Sequence, residues 1–316
     1  MDCLRVDAVP YLFEREGTSC ESLPETHEYL QKIRSFIDTK YGNGNKILLA
    51  EANQMPEETI PYFGDGSDEF HMLFLFPLMP RLFYSLAISN ANPIKEIISI
   101  TKDIPRTCQW CTFLRNHDEL TLEMVTPEVR EFMWEYYAPD QRMRLNLGIR
   151  RRLAPLLGND RRKIELMVSL LFSLIGSPVI YAGDEIGMGD NIELPDRSGL
   201  RTPMQWSNGR NAGFSNVAEE DLHIPIIKDP VFGPDKVNVK DQQKDPSSLL
   251  NFHKKLIKIR KKSSILSYGD INFIDIAQKE ILMFIRELDK DQLLFLYNLA
   301  DESIAVSYTH LTLPTN

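Results

Sequence analysis

Four apolar runs in this chain read as β-strands and end on carboxylates. They are LRVDAVP (4–10), KILLAEA (46–52), QWCTFLRNHDE (109–119) and SPVIYAGDE (177–185). Stretches of helical period lie between them, and a further apolar run near 70–76 reads as a strand of the same set. Strands that alternate with helices at this spacing pair in parallel through right-handed crossovers, so the fold class is α/β. In parallel sheets and barrels, reactive groups collect at the C-terminal ends of the strands. Asp7, Glu51, Asp118 and Asp184 all fall at such ends.

The first strand carries charge where a buried strand carries none. Leu4, Val6 and Ala8 share one face, and Arg5 and Asp7 share the other. Alone, that pair reads most economically as a structural ion pair. The recurrence of acids at later strand ends favours a site instead.

The remaining elements follow in order. Pro24 opens a helix to about Thr39, the turn at 41–45 ends it, and helices follow at 78–89 and 93–101. Further helices are expected at 126–137, 140–153 and 160–175. The arginines between 142 and 162 then read as a solvated helix face interleaved with Leu145, Leu147, Ile149 and Leu153. A long Pro/Gly/Asn-rich segment begins after 190, of the kind that is functional or disordered. A helix at 246–262 precedes three β-runs without helices, INFIDI, ILMFIREL and QLLFLYNLA, which predict a small antiparallel domain. The expected division is a partial barrel over 1–262, the β domain over 263–306 and a non-native tail over 307–316.

The 316 residues carry a net charge of −9, with 43% hydrophobic and 26% charged residues. That is a globular composition able to bury a large core. Its acidic balance argues against nucleic acid or an anionic membrane as partner. Cys108 and Cys111 have C-x-x-C spacing, but they lead into a strand and lack a second close pair, so they read as packing residues. The apolar run at 70–88 is broken by His71, Pro77, Pro80 and Arg81, which argues against a membrane span. With Met1 leading straight into a strand, the chain reads as soluble and cytoplasmic.

Convergent strand-end carboxylates suit glycosidic bond chemistry, in which one acid is ionised and another protonated. Glu51, ending an apolar run, is the better proton donor, and Asp7, beside Arg5, the better anion. A metal site built from the same acids would need more convergent ligands than spacing shows.

LRVDAV, LLAEAN and FLRNHDEL resemble three signature segments of the α-amylase superfamily of retaining glycoside hydrolases and transglycosylases, in matching order. More narrowly, PYFGDGSDEFHM, LRNHDELTLEMV, GDEIGMGDNI and RTPMQW resemble its trehalose synthase (maltose α-D-glucosyltransferase) branch. The resemblance implies the C-terminal part of a (β/α)8 barrel, from about strand 4 to strand 8, followed by an antiparallel β domain. It implies Asp7 as nucleophile, Glu51 as general acid/base and Asp118 as the carboxylate that stabilises the transition state. Arg5 would hold the nucleophile, and His117 would bind sugar hydroxyls. It also implies calcium near Tyr11, Leu12 and Glu14, and no organic cofactor.

The expected activity is interconversion of the disaccharides maltose and trehalose. A hydrolase of the same superfamily, or an inactive fragment, is the alternative. The glycine-bearing segments 62–70 and 190–215 are candidates to close the site. The departure is the count of five barrel strands where eight are needed. An open edge of that kind predicts poor folding or association, a homo-oligomer among the outcomes.

Overall fold

The structure, a computed structural model, describes residues 2–101 and 104–306. The expected tail at 307–316 lies outside the described residues. The chain opens with β1 (Cys3–Val6), β2 (Ile47–Ala50), β3 (Met72–Phe74) and β4 (Gln109–Phe113). Three two-residue strands follow, β5 (Leu120–Thr121), β6 (Arg144–Leu145) and β7 (Gly148–Ile149), before β8 (Ser177–Val179). Among the described residues, one sheet runs β1-β2-β3-β4-β8, with each pairing parallel. The register, Val6 opposite Ala50 and Phe74 opposite Cys111, brings the C-terminal ends of the strands to one rim.

Helices cover the outer face because their start signals and apolar stripes agree. Pro24 and Pro127 open helices Pro24–Tyr41 and Pro127–Tyr137, and the Thr126 hydroxyl accepts from the Val129 amide. Asp160 and Ser248 cap helices Arg161–Ser173 and Leu249–Lys262 in the same way. Such caps are worth about 1 kcal/mol each. Leu78, Met79, Leu82 and Phe83 of helix Leu78–Ala87 join Ile94, Ile97 and Ile98 of helix Asn92–Ser99 in the core. Cys108 and Cys111 are buried and unpaired, as packing residues should be. The turn into β8 needs Gly176, at φ +89°, where a Cβ would sit 2.9 Å from Thr112 and 3.0 Å from the Trp110 carbonyl.

The expected helix at 140–153 is not one. The stretch holds a 3₁₀ turn, Gln141–Met143, then the hairpin β6–β7, then a single helical turn, Leu153–Leu156. Asn146 takes φ +50°, and Gly148 lies where a Cβ would meet the Leu120 carbonyl at 2.6 Å. That turn chemistry overrides the helical spacing of the leucines. The arginines divide: Arg142, Arg161 and Arg162 are exposed, whereas Arg152 is buried and Arg150 reaches backbone carbonyls of the segment 192–196. The last barrel strand is also shorter than expected. Gly183, at φ +99°, ends the extended run, and Asp184 begins a 3₁₀ turn.

After the long irregular segment, β9 (Asp270–Phe273), β10 (Ile281–Leu288) and β11 (Asp291–Asn298) form an antiparallel sheet. Ile281, Leu282, Met283 and Phe284 are buried, and Phe284 stacks on Phe295 at 5.1 Å. Arg286 joins this sheet to the barrel. Only 1% exposed, it donates to the carbonyls of Ser173, Leu174 and Gly269 at 2.7, 2.9 and 2.7 Å.

β1 is an edge of the parallel sheet among the described residues. Leu4, Phe36 and Tyr41 are exposed beside it and line an apolar cleft of about 640 Å³. Among the described residues no helix is long and apolar enough to cross a membrane.

Candidate active site

The sequence places its candidates at strand ends, and the parallel register gathers them. Arg5 is in β1, and Asp7 follows that strand directly. Glu51 follows β2, and His117 and Asp118 follow β4. A cavity of about 190 Å³ at this rim is lined by Arg5, Glu51, Asn116, His117 and Tyr181 over a floor of Phe74, Phe76 and Phe113. The three phenylalanines meet edge to face, Phe76 and Phe113 at 5.2 Å and Phe74 and Phe113 at 5.6 Å. A rigid apolar floor with polar groups on its rim is the usual build of a small-molecule site. The larger cleft at the β1 edge has no such convergence of polar groups.

Asp7 and Asp118 do not line this cavity, but each contacts a residue that does, Asp7 through Arg5 and Asp118 through His117. Arg5 Nη2 lies 2.8 Å from Asp7 Oδ1 and also contacts Glu51 Oε2. The arginine expected to serve Asp7 alone is therefore shared. Asp7 and Glu51 meet at one guanidinium.

Asp118 is held from two sides. Its Oδ2 is 3.4 Å from His117 Nε2, while Oδ1 meets Arg197 Nε at 2.9 Å and Arg201 Nη2 at 2.6 Å. Beneath it, the buried Arg115 donates to the Asp118 carbonyl at 2.8 Å and to the Arg151 carbonyl at 2.7 Å. Burial pulls the Arg115 guanidinium down to about 10, and Asp184 and Asp190 nearby oppose that shift. Arg115 thus stays a cation at neutral pH.

Asp184 is at a strand-end position but belongs to the interior. It is 4% exposed and 3.4 Å from Arg152 Nη1. Burial pushes its carboxyl up to about 6, despite Arg152 and Arg115 pulling the other way. Arg152 in turn lies 4.4 Å over the Tyr181 ring.

Arg197 and Arg201, which contact Asp118, and the pair Asn53 and Glu123 are residues that the strand pattern misses. Asn53 donates to Glu123 at 2.5 Å across the rim. These residues lie in loops, where no periodicity marks them; the one available signal was a pair of arginines four apart in the segment after β8. Tyr11, Leu12 and Glu14 are all exposed, and Tyr11 donates its hydroxyl to Glu21 at 3.2 Å. Two carbonyls and one carboxylate fall short of the about six to eight oxygens calcium takes. Among the described residues no cluster of three or more His, Cys, Asp or Glu could hold a metal.

Residues 149–269 match the family model for the α-amylase catalytic domain. The chain is 50% identical to a trehalose synthase from Thermus thermophilus over 95% of its length, and 52% identical to a trehalose synthase/amylase from Mycolicibacterium smegmatis over 92%. It spans 31% and 49% of those two relatives. The crystal structure of the isomaltulose synthase from Protaminobacter rubrum superposes with a TM-score of 0.67 at 20% identity, covering 95% of this chain and 57% of that one. The fold is therefore a partial (β/α)8 barrel with an antiparallel β-sheet after it. Over nearly its whole length this chain is a homologue of the trehalose synthases, and it carries part of an α-amylase catalytic domain.

Proposed function

We propose that the protein bearing this chain is an intramolecular transglucosidase that interconverts maltose and trehalose by a retaining double displacement. The observation that supports the reading is the contact of both Asp7 and Glu51 with Arg5, beside a small cavity that Arg5 and Glu51 line. Asp7 attacks the anomeric carbon, and Glu51 protonates the leaving oxygen, then deprotonates the incoming hydroxyl. Asp118 and His117 bind hydroxyls of the bound glucose. Arg5 holds the nucleophile in place. The freed glucose turns in place and returns through its anomeric oxygen, which requires a closed site that holds it at high effective concentration.

The approximately 50% identity to trehalose synthases favours the isomerase over a hydrolase with the same carboxylates. Calcium at Tyr11, Leu12 and Glu14 rests on resemblance alone and enters no step. The cytoplasm is the compartment this reading assumes. The boundaries at 262 and 306 remain our division of the chain, as does association through the β1 edge.

The experiment is product analysis. Maltose incubated with the protein, expressed at the full length of its gene, should give chiefly trehalose with glucose as a minor leak. Labelled glucose in the medium should enter trehalose only sparingly. Chiefly free glucose would reject the isomerase in favour of the hydrolase.

A further inference from the structure

We propose that Arg197 is a positioning residue that fastens the segment after β8 onto Asp118, and that this clamp, shaped by Arg150, keeps the site closed during turnover. The inference rests on the function proposed above and adds to it a residue and a structural device.

The clamp has two halves. In the first, Arg197 Nε is 2.9 Å from Asp118 Oδ1 and 2.8 Å from Glu119 Oε2, while its Nη2 donates to Glu119 Oε1 at 3.1 Å. This forked contact with Glu119 is the arrangement for which a guanidinium is preorganised. Glu119 is only 11% exposed and also accepts from Asn146 Nδ2 at 2.7 Å, in the turn between β6 and β7. Arg197 therefore ties together the segment after β8, the loop that carries Asp118, and the hairpin.

In the second half, the hairpin reaches back. Arg150 donates to the carbonyls of Ile192 at 2.9 Å, Leu194 at 2.5 Å and Asp196 at 2.7 Å, and through Nε to Arg142. Arg142 is 2.6 Å from Glu193. The segment 192–196 forms no helix or strand and makes only turn bonds of its own, such as Leu194 N to Asn191 O at 3.3 Å, so these side chains help set its path. That path delivers Arg197 to Asp118. Arg197 and Arg201 both hold Oδ1 of Asp118, at 2.9 and 2.6 Å, which leaves Oδ2 toward His117.

Misplacing a catalytic carboxylate by about 1 Å costs up to about 100-fold in rate. Arg197→Gln should therefore lower kcat for maltose isomerisation about 10- to 100-fold, change KM less than about 3-fold, and raise the share of glucose among the products. Arg197→Lys keeps the charge but not the fork and should recover only part of kcat. Glu119→Gln, which loosens the clamp from its other side, should shift the glucose share in the same direction. The two changes combined should cost less than their sum. Assays run well below each variant's melting temperature separate this from loss of fold, which would not move the product ratio. If Arg197→Gln fails to fold, Glu119→Gln alone decides. Wild-type kcat and product ratio in the soluble variants would overturn the proposal. If the unmutated enzyme makes only glucose from maltose, the isomerase reading falls instead. The clamp is then judged by kcat on 4-nitrophenyl α-glucoside, where an unchanged value in Arg197→Gln overturns it.

Discussion

Arg5 Nη2 contacts Glu51 Oε2 as well as Asp7, so one cation sits between the ends of the first two barrel strands. The two acids differ in exposure: the Asp7 side chain is 72% exposed and that of Glu51 21%. Substituting each should therefore separate chemistry from stability.

Asp7→Asn should abolish turnover, by at least about 1,000-fold, because an amide cannot serve as the nucleophile. An exposed side chain whose ion-pair partner is itself shared contributes little to the fold, so the melting midpoint should barely move. Near-normal activity in the variant would make Asp7 structural.

Glu51→Gln should be selective. An activated glucoside with a good leaving group needs little protonation, so its first step should lose much less than maltose cleavage loses. Pre-steady-state release of 4-nitrophenol measures that step. Equal losses on both substrates would remove Glu51 from the acid role.

Asp184 predicts a pH dependence of stability. Burial raises its carboxyl from an ordinary 3.8 to about 6, so between those values the native state holds a proton that the unfolded chain releases. Stability must then fall as pH rises from about 4 to 6, by about 3 kcal/mol, and be flat in this group above that. Asp184→Asn removes the titration. Denaturant melts should show wild type losing ground to the variant across that interval; the opposite trend would mean that Arg152 and Arg115 overcome the burial cost.

Arg286→Met should cost on the order of 3 kcal/mol, because it strands buried carbonyls at Ser173, Leu174 and Gly269 with no other donor in place. Burial pulls the Arg286 guanidinium down to about 10, which leaves it charged at neutral pH. Urea unfolding measures the loss. A change under about 0.5 kcal/mol would show that the β-sheet is held to the barrel by its apolar face alone.

Cys108 and Cys111 should resist alkylation in the folded protein. Both are buried, and burial pushes the Cys111 thiol up to about 12. Cys3 and Cys20 are the accessible pair and should label first. Mass spectrometry of a timed maleimide reaction tests this, and equal labelling of all four would refute it.

Sequence periodicity determined the barrel strands, their parallel order and the acids at their ends. A buried parallel strand must be apolar until it ends, so Glu51 and Asp118 announce themselves where the runs stop, while Asp7 follows an exposed edge strand that already carries Arg5. The antiparallel sheet was legible for the same reason, in ILMFIREL and QLLFLYNLA. Tertiary structure alone decided the stretch 140–153, where leucines at helical spacing form a hairpin because Asn146 turns and Gly148 lets the Leu120 backbone approach. It also decided the fate of Arg150 and Arg152, which reach backbone carbonyls, and set Arg197 and Arg201 against Asp118. Local periodicity reports which face of an element is apolar. It carries no information about which distant carbonyl or carboxylate a long side chain will meet, because that depends on how the loops are laid across the rim of the barrel.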